Sequence, residues 1–298
     1  MKKPELGGVI AAVATACDGA GEPDCARSVA LARFLLDRGC DGLNVLGTTG
    51  EATSFAVAQR QAVMNAYRAA GLPLERMMVG CGAAATADAV ALTRHAAELG
   101  FGGALLLPPF YYKSVTHDGL ASYVAAVAAA TADRPVPLYL YHYPQLSGVP
   151  WPTGLIRRLL AAHGDRISGL KDSSGDMPYA REAAAIDPNF RVFPSTEAVL
   201  LEARGGVFAG CISATANVNS DLCARAYHGG DAAALEAAVT IRTLFEGRAL
   251  VPGVKALLAH IHDDPAWAQM MPPLAAFSPA DRAAVVSGYD QVRARRVA

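Results

Sequence analysis

An excess of charge of either sign is missing from this sequence: 26 Lys and Arg residues face 27 Asp and Glu, a formal net charge of -1. Basic residues gather only in the last few positions around Arg293–Arg296, so nothing draws a polyanion and nucleic acid is not an expected partner. Closely spaced cysteine pairs are missing too. Cys17, Cys25, Cys40, Cys81, Cys211 and Cys223 are scattered singly, which excludes the spacing of a zinc knuckle or redox motif and points to reduced thiols in a cytoplasmic protein. Apolar runs are short. Val124–Ala132 stops well below the ~20 residues that cross a bilayer, so neither a membrane span nor a membrane partner is expected. The amino terminus, Met1-Lys2-Lys3-Pro4-Glu5, passes into Gly7–Ala16 without a cleavage region and reads as a first strand, not a leader. No His/Cys/Asp/Glu cluster has ligand spacing, so no metal is expected.

About half of the chain is apolar, 52% over 298 residues, which is ample material for a large core. Length alone allows one domain or two, and it suits one α/β barrel with a helical addition. Short apolar runs alternate with longer helical patterns. Val9–Ala14, Leu43–Leu46, Met77–Gly80, Ala104–Leu107, Val136–Tyr141, Ile167–Lys171, Arg191–Phe193 and Val207–Ile212 read as strands. Between them apolar residues recur at three- and four-residue intervals, and several such segments close on a glycine just before the next strand, at Gly39, Gly71, Gly100 and Gly164.

Strict strand–helix alternation predicts a parallel sheet, and eight units predict closure into a (β/α)8, or TIM, barrel; a doubly wound sheet is the competing architecture. From about Asp221 onward no strand is found, and Leu235–Phe245, Gly253–Ile261 and Pro279–Val292 read as helices. Residues 1–220 are therefore expected to form the barrel core, and 221–298 the last barrel helix and a C-terminal helical extension of the same structural unit. No Ser/Gly-rich linker separates them.

Three features carry chemistry. Gly47-Thr48-Thr49-Gly50-Glu51 follows the second strand. Its glycines allow a tight turn, and its hydroxyls and N–H groups suit a carboxylate. The same spacing also suits an N-cap turn without a ligand, although the C-terminal end of a barrel strand favours a site. Lysine is scarce: Lys2, Lys3, Lys113, Lys171 and Lys255 are all there are. Lys171 closes an apolar strand, where burial would lower its pKa and free the amine for attack on a ketone. Arginine cannot do this. The bland alternative is a lysine snorkelling from the strand end into solvent. Lys255, on a helix outside the barrel, reads as a packing or surface residue. Finally, Phe110-Tyr111-Tyr112-Lys113 follows the fourth strand and Tyr139-Leu140-Tyr141-His142-Tyr143-Pro144 closes the fifth. Strand aromatics are usually core, yet a tyrosine hydroxyl at the barrel mouth can move a proton.

Gly47–Glu51, Tyr111-Tyr112, Tyr141 with Pro144 and Gly148, and Gly169-Leu170-Lys171-Asp172 together resemble, in order and spacing, the dihydrodipicolinate synthase/N-acetylneuraminate lyase family. The resemblance runs over nearly the whole chain. It implies a cofactor-free class I aldolase, a homotetramer built from dimers, that joins pyruvate to a barrel lysine as a Schiff base and exchanges it with an aldehyde. By this resemblance Lys171 is the Schiff-base lysine and Tyr141 the proton-transfer tyrosine. Thr48 and Thr49, with Gly50 in the same turn, hold the pyruvate carboxylate. Tyr112, beside Tyr111, reaches into a neighbouring subunit's site. Glu197 and Ser213 match positions that contact substrate, although turn chemistry and a helix cap explain them equally well.

One departure separates branches of the family. The synthase branch carries, after the catalytic tyrosine, an arginine that clamps the second substrate's carboxylate; this sequence has Leu146 there, which cannot pair a carboxylate. Leu146-Ser147-Gly148 looks more like the sialic acid lyases, and Tyr141-His142-Tyr143-Pro144 is similar to 2-keto-3-deoxygluconate aldolases. The expected reaction is cleavage of a 2-keto-3-deoxy sugar acid to pyruvate and an aldehyde. The runner-up is dihydrodipicolinate synthase or a related keto-acid dehydratase. The non-enzyme alternative is a barrel that binds keto acids without turnover, against which the pairing of Lys171 with Tyr141 argues.

Overall fold

The computed structural model describes residues 6–295; residues 1–5 and 296–298, with Lys2, Lys3 and Arg296, lie outside the described residues. Eight strands are present: β1 (Gly8–Ala12), β2 (Gly42–Val45), β3 (Met77–Gly80), β4 (Gly103–Leu106), β5 (Leu138–His142), β6 (Ile167–Asp172), β7 (Arg191–Pro194) and β8 (Gly210–Ser213). From β1 to β7 each strand pairs in parallel with the next, and β8 returns to β1 with Gly8 opposite Gly210. Between β7 and β8 the seam is held by the Ala209 N–H donating to the Val192 carbonyl at 3.0 Å. The result is a nearly closed parallel (β/α)8 barrel, as alternation predicts.

Helices α1 (Cys25–Asp37), α2 (Val57–Ala69), α3 (Thr86–Leu99) and α4 (His117–Ala130) follow the first four strands. The single turn α5 (Pro144–Ser147) and α6 (Thr153–His163) follow β5; α7 (Met177–Ala184), α8 (Leu200–Arg204) and α9 (Ala216–Gly229) follow β6, β7 and β8. The extension consists of α10 (Ala232–Thr243), α11 (Leu250–Ile261) and α12 (Pro279–Ala294). Starting at Ala216, α9 spans the position near residue 220 where the barrel core was expected to end. It is tied to α12 by a two-pronged contact from Arg293 to Asp221, with both nitrogen–oxygen distances 2.8 Å. Of the four glycines expected to end helices, Gly39, Gly71 and Gly100 have positive φ (95°, 69° and 87°), whereas Gly164 stays right-handed at -63°. No described helix is long and apolar enough to cross a membrane.

Two buried layers follow from period-two alternation along the strands. Val9, Ala11, Leu43, Val45, Leu138, Leu140 and Leu170 point outward into the shell between strands and helices. Ile10, Ala12, Met78, Leu105, Tyr139, Tyr141, Phe193 and Ile212 fill the barrel. Tyr139 fits only because its neighbours are glycines: a Cβ at Gly103 would lie 2.6 Å, and one at Gly169 2.9 Å, from its ring. The inner residues change from apolar to polar towards the C-terminal ends of the strands, and there the cavity opens.

Candidate active site

Parity puts Lys171 inside the barrel. Outward-facing Leu170 belongs to the shell, so Gly169 and Lys171 face the interior, and β6 pairs with β5 so that Lys171 stands opposite Tyr141. The Lys171 side chain is 2% exposed. Its Nζ donates to Asn44 Oδ1 on β2, across the barrel, at 3.0 Å, and lies 4.4 Å from the centre of the Tyr141 ring. Among the described residues no carboxylate compensates it. Burial alone lowers its pKa from 10.5 to about 7, so a large fraction is free amine at neutral pH.

Tyr141 is braced from behind: the Trp151 indole N–H donates to its carbonyl at 3.1 Å. Its hydroxyl shares a 3.0 Å hydrogen bond with Thr48 Oγ1. Burial raises the phenol pKa, opposed by hydrogen bonds with Thr48 and Ser173, so it is protonated at rest. His142, next along the strand, faces the other way. Its Nδ1 accepts from the Trp151 backbone N–H at 3.0 Å and its ring stacks on Tyr179 at 4.2 Å. Burial lowers its pKa to about 4, leaving a neutral packing residue.

The Gly47–Gly50 turn is flanked by two non-glycine residues in the left-handed region, Leu46 and Glu51, both with φ 52°. That conformation costs on the order of 1 kcal/mol per residue, and at Glu51 a buried network opposes it. Glu51 Oε1 pairs with the Lys255 ammonium of α11, both side chains fully buried, and Oε2 accepts the Met271 N–H at 2.7 Å. Lys255 is thus no surface residue: it is an internal strut from the extension to the threonine turn.

Thr48, Thr49, Tyr141, Lys171, Ser173 and Ser195 line one cavity of about 380 Å³ at the C-terminal ends of the strands, where a (β/α)8 barrel carries its chemistry. The extension supplies the outer wall through Arg242, Leu250, Val251, Pro252, Pro273 and Leu274. Among the described residues no group of three His, Cys, Asp or Glu side chains could hold a metal.

The model of the Dihydrodipicolinate synthetase family matches residues 5–287. The chain belongs to that family of lyases. It is 37% identical over 268 residues to an uncharacterized DapA-like lyase of Chloroflexus aurantiacus, covering 88% of each chain. It also matches the crystal structure of dihydrodipicolinate synthase from Agrobacterium tumefaciens str. C58, with a TM-score of 0.89 and 28% identity over 96% of this chain and 99% of that one. YagE, a prophage protein of the dihydrodipicolinic acid synthase family from E. coli K12 solved in complex with pyruvate, shares the fold. Its TM-score is 0.88 at 22% identity over 97% of this chain and 99% of that one.

In this family member the residues singled out from sequence fall into three groups. Lys171, Tyr141, Thr48 and Thr49 meet at the cavity, with Gly50 buried beneath the turn: a Cβ there would lie 3.0 Å from both the Thr15 hydroxyl and the Val13 carbonyl. Glu197 and Ser213 lie behind the wall, both fully buried, and Ser213 Oγ donates to Glu197 Oε1 at 2.9 Å. Tyr111 and Tyr112 stand away from the cavity, stacked edge to face and 74% and 73% exposed. Their loop is pinned by Lys113, whose Nζ donates to the Phe110 carbonyl and, at 2.8 Å, to the Ser147 carbonyl. Sequence reasoning missed Asn44, the Glu51–Lys255 strut and Arg242. Asn44 left a signal, a polar residue at the inward parity of an apolar strand; the other two depend on contacts across more than 40 positions.

Proposed function

We propose that this chain is a class I lyase that forms a Schiff base between Lys171 and pyruvate, and that its reaction is reversible cleavage of a 2-keto-3-deoxy sugar acid to pyruvate and an aldehyde. The observation that carries the reading is the Lys171 amine, buried without a counter-charge, with a pKa near 7, and facing a cavity shared with the Thr48–Tyr141 pair.

In this mechanism the Lys171 amine adds to the keto carbon of the substrate, whose carboxylate lies against Thr48 and Thr49, and water departs to leave a protonated imine. Tyr141, having lent its proton to the substrate carboxylate or solvent, takes the proton of the C4 hydroxyl. The C3–C4 bond breaks, its electron pair moves into the imine to give an enamine, and the aldehyde leaves. Protonation of C3 and addition of water then release pyruvate and restore the amine. Tyr112 of a neighbouring subunit would complete the proton path in a homotetramer built from dimers.

The alternative outcome is the synthase or dehydratase reaction through the same imine. The name of the Agrobacterium relative favours it, and Leu146, 60% exposed at the cavity where the synthase branch has its arginine, opposes it. A keto-acid-binding barrel without turnover has no need of a free amine. Borohydride reduction in the presence of pyruvate tests the reading: one pyruvate-derived mass should appear on the peptide holding Lys171. An adduct that forms equally in Lys171→Ala sinks it. Steady-state comparison of 2-keto-3-deoxy acids with aspartate semialdehyde plus pyruvate separates lyase from synthase.

A further inference from the structure

Asn44 is an amide where the strand pattern calls for an apolar side chain. It lies on β2 at inward parity, opposite Ala12 of β1 and Met78 of β3, both of which belong to the apolar filling of the barrel. The residue is fully buried. Its Oδ1 accepts from Lys171 Nζ at 3.0 Å, and its Nδ2 has no hydrogen-bond partner among the described residues. A buried amide donor left unpaired costs free energy, so packing alone does not account for an asparagine here. The fold also makes room for it: a Cβ at Gly47, the first residue of the threonine turn, would lie 2.8 Å from Asn44 Oδ1.

The other titratable groups around Lys171 leave this contact unchallenged. Tyr141, from β5, turns its ring to Nζ and gives its hydroxyl to Thr48, and Tyr143 stands beyond it with ring centres 6.1 Å apart. Glu51 and Arg242 line the same cavity, but Glu51 is taken by Lys255 and the Met271 N–H, and Arg242 lies against Glu197. Burial accounts for the low Lys171 pKa. What the amide contributes follows from the hydrogens on the nitrogen. A neutral amine has two N–H groups and one lone pair; with one N–H given to Oδ1, the nitrogen is held and its lone pair is left for the keto carbon. After condensation the protonated imine keeps a single N–H, and the amide oxygen is again its acceptor, now beside a positive charge. Because that oxygen is neutral, it serves both states without restoring the ammonium, as a carboxylate in the same place would. A leucine would leave the amine neutral but unheld.

We propose that Asn44 is a positioning residue of the reaction: its amide oxygen orients the Lys171 amine for attack on the keto acid and then accepts from the N–H of the protonated imine. The proposal rests on the reading that Lys171 forms the Schiff base. Asn44 itself does not touch substrate; it acts through the lysine nitrogen.

The test follows covalent pyruvate incorporation by intact mass from about pH 6 to 11, with cyanoborohydride as the trap and pyruvate low but in excess over protein. Wild type, Asn44→Asp and Asn44→Leu are compared by the first-order rate constant, which does not depend on how much of a variant folds. In the wild type it should climb through about pH 7 to a plateau. Aspartate has the shape of asparagine, but its carboxylate raises the amine pKa, so in Asn44→Asp the midpoint should move up by about 1–3 pH units. In Asn44→Leu the midpoint should not rise, while the plateau falls by roughly 10–100-fold, the worth of a hydrogen bond to a charged group. A residue that merely fills space moves neither quantity. An unmoved midpoint in Asn44→Asp, or a wild-type plateau in Asn44→Leu, therefore overturns the proposal; should the leucine variant fail to fold, the aspartate variant decides alone. The wild type keeps the two readings apart: failure of its trapping counts against the Schiff base, and normal trapping with unmoved variants counts against Asn44 alone.

Discussion

Lys171 has only an amide oxygen to receive its proton's hydrogen bond, and its environment favours the neutral amine by withholding a counter-ion. Two predictions follow from the sign of that shift. The native chain releases the Lys171 proton near pH 7 whereas the unfolded chain holds it to about 10.5. The rate of pyruvate trapping at low pyruvate should therefore climb as pH rises through about 7, and a flat profile from pH 6 to 9 would contradict the assignment. Between those two pKa values the unfolded state binds more protons, so stability rises with pH across that window. Conversely, burial of this group costs most at and below neutral pH, on the order of 4 kcal/mol. Lys171→Met should raise the denaturation midpoint at pH 7, and the gain should shrink towards pH 10. Tyr141→Phe separates binding from proton movement. The ring stays, so imine trapping persists, while turnover falls by roughly 10²–10⁴-fold, the usual worth of a positioned acid/base. Near-normal turnover in Tyr141→Phe would leave the hydroxyl without its role.

At the scale of elements, the threonine turn and α11 behave as one piece because Lys255 and Glu51 meet inside the protein. Removing one partner strands a buried charge, which costs about 3–5 kcal/mol. Lys255→Met should lower stability by that order and raise the pyruvate concentration needed for half-maximal trapping, since Thr48 and Thr49 sit on the turn it braces. The double variant Lys255→Met/Glu51→Gln should recover part of the loss, a coupling that urea titration of the four proteins measures. Additive losses would show that the pair is not a unit. The barrel itself was legible because each strand is a short apolar run and each helix a separate period, and Lys171, Tyr141 and the threonine turn were legible because each closes such a run. Edges were less so. Val207–Ile212 read as one strand, yet Val207 is 44% exposed and β8 starts only at Gly210, where a Cβ would lie 1.9 Å from the Gly8 carbonyl. The roles of Glu197 and Lys255 were illegible for a different reason: each is defined by a partner far away in sequence, Arg242 on α10 for Glu197 and Glu51 in the threonine turn for Lys255, and no local pattern encodes such a pairing.

For the whole molecule, the exposed pair Tyr111–Tyr112 is the feature that a single chain leaves unexplained. Two stacked phenol rings, each about three-quarters exposed, sit on a loop pinned by Lys113. Rigid aromatic area of this kind is enriched at interfaces. If Tyr112 serves the site of a neighbouring subunit, then Lys171 and Tyr112 acting together belong to different chains, and two inactive variants can repair each other. Lys171→Ala lacks the amine but presents an intact Tyr112; Tyr112→Phe lacks the hydroxyl but retains Lys171. Mixed within a two-fold dimer, one of the two sites receives both wild-type groups, while the other receives neither. Random one-to-one mixing makes half of the dimers hybrid, so about a quarter of wild-type turnover should return after co-refolding or co-expression. Each parent alone should stay low. Turnover in the mixture that merely averages the two parents would mean that Tyr112 acts on its own chain or not at all, and sedimentation of the same samples would show whether hybrids had formed.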